Sequence, residues 1–168
     1  KNLFEIAYIL DRSGSMHCMI EPAIAGFNQF LREQREAPGD ARLSLILFDD
    51  EYELPCDRLP LEEVPELDTT TYVPRACTAL LDAIGRTINE IDQRLDSMLE
   101  AERPGKVMVA IFTDGLENAS REFSLDRINQ LIREKRENHD WEFLFLAPNQ
   151  DAIPPARRTA PNPNISPQ

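Results

Sequence analysis

The sequence predicts an open, mostly parallel α/β sheet with helices on both faces, and three observations carry that reading. Short apolar runs at Leu3–Leu10, Ala41–Phe48, Lys106–Thr113 and Trp141–Leu146 alternate with segments of helical period. The run Leu3–Leu10 is apolar on both faces, as a strand covered by helices on both sides must be. Two of the runs end at aspartates, Asp11 and Asp114, where the carboxyl ends of strands in such sheets form a ligand crevice.

Taken in order, the first strand runs into the turn Asp11-Arg12-Ser13-Gly14-Ser15-Met16. Pro22 suits only the first turn of a helix, so the first helix starts near Glu21 and Met16–Ile20 is an irregular turn. Ile24, Phe27 and Leu31 share its apolar stripe with Phe30 beside it, and Pro38-Gly39 ends it. Ala41–Phe48 is the second strand. The tight turn Asp49-Asp50 leads into Glu51–Leu59, which must pair antiparallel because the link is so short. Pro55 and acidic residues place this third strand at the sheet edge. Asp49, Asp50, Glu51 and Glu53 read as a solvated turn and edge, because no spaced calcium loop with a structural glycine follows.

Leu61–Arg75 is a proline-spaced ordered loop that delivers Thr78 to the start of a helix. That helix extends from Thr78 to about Ala101 on the stripe Leu81, Ile84, Ile88, Ile91, Leu95 and Met98, and Pro104-Gly105 stops it. Lys106–Thr113 is the next strand. Ser124 caps a helix through about Asn138 whose inner face is Leu125, Ile128, Leu131 and Ile132, and Trp141–Leu146 is the last strand. The folded domain therefore occupies residues 1–150. Residues 151–168 form an extended or disordered tail, since Ala152–Gln168 holds five of the 13 prolines.

Composition excludes several functions. A net charge of −12 opposes both phosphate-backbone binding and adhesion to anionic membranes, so neither nucleic acid nor membrane is an expected partner. No apolar run reaches membrane-spanning length. Cys18, Cys56 and Cys77 cannot all pair and lack metal-type CxxC spacing, which fits reduced, idle thiols and a cytoplasmic location. His17 reads as a solvent-facing residue, and His139 as a helix-end residue favoured by the dipole.

The chemistry concentrates in the first turn. Asp11, Ser13 and Ser15 put one carboxylate and two hydroxyls on alternate residues of a Gly-assisted turn, where they can converge on one small hard cation. Neutral hydroxyl ligands would leave the ion short of negative charge and ready for another anion. Thr78 at a helix mouth and Asp114 at a strand end complete the pattern. On these five positions, in this order, the chain resembles the von Willebrand factor A-type (vWA) domain with its metal-ion-dependent adhesion site. The resemblance covers roughly Leu3 to Ala147. Tyr72-Val73-Pro74-Arg75, Asn118-Ala119-Ser120 and Glu142–Asn149 are similar to small stand-alone bacterial members.

The resemblance implies strand order 3-2-1-4-5 with an antiparallel edge strand. It implies Ser13, Ser15 and Thr78 as direct metal ligands, with Asp11 and Asp114 coordinating the ion or holding its waters. An all-oxygen set with waters favours Mg²⁺, with Mn²⁺ as substitute. The implied function is a non-enzymatic protein-interaction module in which a partner's Asp or Glu carboxylate completes the coordination. By kinship the partner is an AAA+ ATPase or an operon neighbour. Two departures stand out: Leu116 replaces a frequently acidic position, and no final strand and C-terminal helix are evident, which predicts little piston-like allostery. Two other readings compete. An Mg²⁺-dependent phosphotransferase or phosphatase would use Asp11, but it wants a second carboxylate where Ser13 stands. A purely structural module would leave the site unused. A nucleotide-binding GxxxxGK[ST] loop and a nucleophile elbow are both missing.

Overall fold

A computed structural model describes residues 3–49, 51–75, 79–113 and 120–146, apart from the side chain of Ser15. The expected boundary near residue 150, the 151–168 tail and Leu116 lie outside these residues, as does Cys77. Among these residues five strands, β1 (Leu3–Asp11), β2 (Asp40–Phe48), β3 (Tyr52–Pro60), β4 (Lys106–Phe112) and β5 (Glu142–Leu146), form one sheet ordered β3-β2-β1-β4-β5. β1 pairs parallel with β2 and β4, and β4 parallel with β5; only β3 runs antiparallel. The expected fold class and strand order are both observed.

Side-chain alternation along β1 divides the interior. Ile6, Tyr8 and Leu10 face helix α1 (Ile20–Glu36), where Phe27, Phe30 and Leu31 meet them. Tyr8 packs edge-on against Phe27 and Phe30, with ring centroids 4.9 and 5.0 Å away. Ala7 and Ile9 face the opposite layer, built from Ile84, Ile88 and Ile91 of α2 (Leu80–Ser97) and Ile128, Leu131 and Ile132 of α3 (Leu125–His139). Helices on both faces explain why β1 and β4 are buried along almost their whole length. None of the described helices is long and apolar enough to cross a membrane.

Several local expectations change. Residues Gly14–Met19 form a 3-10 turn rather than irregular chain, and Met16 is fully buried within it. The helix expected to reach Ala101 ends at Ser97. Met98 turns extended and its N–H donates to the Leu95 carbonyl, and the exposed Leu99 offers no apolar contact to prolong the stripe. The remaining residues carry the chain back to β4, with Gly105 N–H bonded to the Leu3 carbonyl. Leu125 is 59% exposed instead of inward, because the first turn of α3 projects past the packed face. Ser124 caps α3 as expected, its side chain accepting from Arg127 N–H. His17 and Cys18 are exposed, and burial raises the thiol pKa of Cys56.

At the amino end of β1, Glu5 is 2% exposed and accepts from Arg58 Nε of β3 and Arg94 Nη1 of α2, each at 2.8 Å. One buried carboxylate thus ties the edge strand and a helix to the central strand. Neutralising it would take away the nearest anion of both guanidinium groups, leaving Arg94 only the exposed Asp57 at 3.8 Å, a change that typically costs roughly 3 kcal/mol.

Gly85 of α2 is required by close packing. A Cβ there would lie 2.6 Å from the ring of Phe123, whose backbone N–H is bonded to Asp82 Oδ1 and so resists moving away. Alanine would gain about 1 kcal/mol of helix propensity, but overpacking of this kind costs ~1–3 kcal/mol. Gly85→Ala is therefore expected to lower the melting temperature, read by thermal unfolding followed by circular dichroism; a raised melting temperature would contradict this packing.

Candidate metal centre at the carboxyl end of the sheet

The turn that ends β1 holds two fully buried polar residues. Asp11 and Ser13 both have 0% exposure, an unusual environment for a carboxylate and a hydroxyl unless their polar atoms are satisfied. Ser13 N–H donates to Asp11 Oδ1 at 2.8 Å, and Thr113 Oγ1, just past β4, donates to Asp11 Oδ2 at 2.8 Å. Asp11 therefore bridges the ends of β1 and β4, where the direction of the sheet's crossovers reverses. A carboxylate oxygen accepts more than one bond, so this anchoring is compatible with a further role for Asp11. Met16 N–H closes the turn on the Ser13 carbonyl at 3.0 Å.

The neighbouring loop braces this turn. Tyr72, 1% exposed, donates its hydroxyl to the Asp11 carbonyl. Arg12 donates through Nε and Nη2 to the Val73 carbonyl at 3.1 and 2.9 Å, and its Nη1 pairs with Glu53. The Arg12 backbone is held as well. Its N–H reaches the Phe48 carbonyl at 2.8 Å, and its carbonyl accepts from Arg75 N–H at 2.7 Å.

Asp49 departs from its expected role as a solvated turn residue. Its side chain is 2% exposed and accepts from Arg75 Nε at 2.9 Å and Nη2 at 3.0 Å, while its carbonyl accepts from Ala79 N–H at 2.7 Å. Glu51 N–H adds a third bond to the carboxylate at 2.8 Å. Burial alone would raise the Asp49 pKa, but the Arg75 hydrogen bond, the Glu51 N–H and the charges of Arg75 and Arg12 outweigh it and hold it below the ordinary value. Sequence reasoning missed this because acidic pairs in turns are usually solvated. Arg75, far along the chain, carried the only signal, and its partner could not be read from spacing.

A second brace stands across the crevice. Asp82, in the first turn of α2, accepts from the backbone N–H groups of Arg121, Glu122 and Phe123, and its own N–H donates to Ser120 Oγ at 3.0 Å. A cleft of about 670 Å³ opens between these braces, lined among others by Asp49, Tyr52, Asp82, Arg86 and Arg121. Arg86 lies over the Tyr52 ring, 4.0 Å from its centroid, and burial pushes the Tyr52 hydroxyl up to about 12.

Of the five candidate ligands, the structure brings Asp11 and Ser13 together at the switch point. Ser15 lies in the 3-10 turn beside them, its side chain outside the described residues. Thr78 and Asp114 also lie outside them. Among the described residues no three His, Cys, Asp or Glu side chains gather into a metal-binding group.

No family model and no curated protein matches the sequence. Solved structures do. A von Willebrand factor type A protein from Catenulispora acidiphila aligns over 85% of this chain at 12% identity and a TM-score of 0.56. Manganese-loaded TRAP protein of Plasmodium vivax aligns over 87% at 17% identity and 0.62. The three N-terminal domains of the type V pili tip protein Mfa5 from Porphyromonas gingivalis align over 68% at 17% identity and 0.51. The chain spans 32%, 57% and 20% of those structures respectively. The sheet order, the single antiparallel edge strand and these likenesses together give this chain the fold of a von Willebrand factor A-type domain.

Proposed function

We propose that this chain is a metal-dependent protein-interaction module. In this reading Asp11, Ser13, Ser15, Thr78 and Asp114 hold one Mg²⁺ or Mn²⁺, and an Asp or Glu carboxylate of a partner protein completes the coordination. The observation that carries it is the fully buried Asp11–Ser13 pair on a turn braced from both sides, at the sheet's switch point. Manganese in the similar TRAP structure supports the choice of a divalent ion. Bound there, the ion would supply a Lewis-acidic anchor for an anion, and the chain's own residues orient it. Three of the five donors, Ser13, Ser15 and Thr78, are neutral hydroxyls, so where Asp11 and Asp114 act through waters the incoming carboxylate would be the anion bonded directly to the ion.

The partner's flanking residues would enter the cleft between Asp49 and Arg121. The expected location is the cytoplasm, and an AAA+ ATPase or an operon neighbour is the expected class of partner. Phosphoryl transfer by Asp11 is the weaker reading. Both Asp11 oxygens are held by hydrogen bonds, which suits a fixed acceptor better than an attacking nucleophile. A structural module with an unused site would bind no ion.

Calorimetric titration with Mg²⁺ and Mn²⁺ is expected to show one binding site. Capture of a partner on the immobilised protein should disappear with EDTA and return with excess Mg²⁺; capture that ignores the chelator would remove the adhesion reading. Turnover of a generic phosphate ester above background would instead favour the phosphotransferase.

Ser13→Ala and Asp114→Ala are expected to weaken metal binding by at least about tenfold, read by the same titration. Loss of the buried Ser13 hydroxyl should cost only about 1 kcal/mol of metal-free stability. A metal-free melting point that collapses in Ser13→Ala would assign Ser13 to structure first.

A further inference from the structure

We propose that Asp49 is a positioning residue of this metal site, acting through Arg75 on the backbone between Asp11 and Ser13. The inference rests on the metal reading above and assigns Asp49 no contact with the ion. Arg12 lies between two of the proposed ligands, and both of its backbone polar groups are held from outside the turn. Its N–H is bonded to the Phe48 carbonyl, one residue before Asp49, and its carbonyl is bonded to Arg75 N–H. The Arg75 guanidinium is in turn held as a fork on the two Asp49 oxygens, at 2.9 and 3.0 Å. The Asp49 carbonyl also takes Ala79 N–H, so the same residue grips the loop at 75 and again at 79.

Mg²⁺ makes such a support consequential. It demands near-octahedral geometry with short bonds, so a turn that shifts by about 0.5 Å forfeits affinity. A fork between guanidinium and carboxylate fixes direction as well as distance, which a single contact cannot. Glu51 and Glu53 also approach Arg75, at 3.5 and 3.8 Å, but their side chains are 61% and 45% exposed and hold it more loosely. They keep the loop attached when Asp49 is altered without restoring its orientation. A partial loss of metal affinity follows, not an unfolded protein.

Asp49→Asn replaces one acceptor of the fork with an NH₂ group that faces the guanidinium, and Arg75→Lys replaces the fork with a point charge. Glu5→Gln serves as the control, because it breaks the buried ionic cluster at the opposite end of β1 and leaves the turn untouched. Mn²⁺ dissociation constants are measured calorimetrically well below each protein's metal-free melting temperature. Asp49→Asn and Arg75→Lys are expected to bind Mn²⁺ about tenfold more weakly, and Glu5→Gln within about twofold of the parent even where its melting temperature falls as far. Should Asp49→Asn fail to fold, Arg75→Lys carries the same comparison.

Parent-like affinity in the folded Asp49 or Arg75 variant overturns the inference while leaving the metal reading intact. An equal loss in Glu5→Gln also overturns it, since affinity would then track general stability. A parent protein that binds no Mn²⁺ overturns both.

Discussion

The turn after β1 keeps its shape because the Arg12 backbone is gripped on both sides. Where β1 ends, its ladder stops supplying partners, and buried peptide groups left there would each cost on the order of 1–3 kcal/mol. Bonding of Arg12 N–H to Phe48 extends the parallel pairing with β2 by one step, and Arg75 N–H takes the carbonyl. Asp11 is braced in the same way from β4 through Thr113. Three chain segments distant in sequence therefore converge on one short turn. Each of them is itself anchored: Phe48 at the end of a buried strand, the loop of Tyr72 and Arg75 by the core and by Asp49, and Thr113 at the end of another buried strand.

The two ends of the sheet carry different arrangements of polar groups. At the amino end of β1, Glu5 meets two arginines, and that cluster closes the edge strand and α2 onto the core. At the carboxyl end Asp11 is bonded to a hydroxyl and a backbone amide, and the ion pairs of Arg75 with Asp49 and of Arg12 with Glu53 stand behind the turn. The first arrangement is complete in itself. The second includes oriented oxygens at the sheet's switch point, the kind of place where a rigid α/β scaffold presents ligand groups. Between the two, alternating apolar side chains of β1 hold both helical layers and make the scaffold stiff.

Much of this was legible in the residue pattern. Among the described residues, apolar periodicity located four of the five strands and the three α-helices because burial demands a period of 2 in one case and 3.6 in the other, and Ser124 and Pro22 marked helix starts through local backbone chemistry. Failures came where periodicity continued but burial did not: Leu125 keeps the helical spacing yet lies beyond the packed face, and Met98 extends a stripe that the chain abandons to reach β4. Asp11 and Ser13 were legible because a strand end followed by short oxygen side chains is a local signal. Asp49 was not, because a carboxylate in a turn looks the same whether it faces water or an arginine.

By itself, then, the sequence determined the elements, the parallel character of the sheet and the turn that bears the oxygen side chains, all of which follow from local spacing and from the need to bury apolar stripes. Tertiary structure alone decided which charges became internal. Asp49 with Arg75 and Glu5 with Arg58 and Arg94 pair across 26, 53 and 89 positions of chain, separations that no periodicity encodes. Desolvation decided their partners: a carboxylate shut away from water must find hydrogen-bond donors or a cation wherever the fold brings them near.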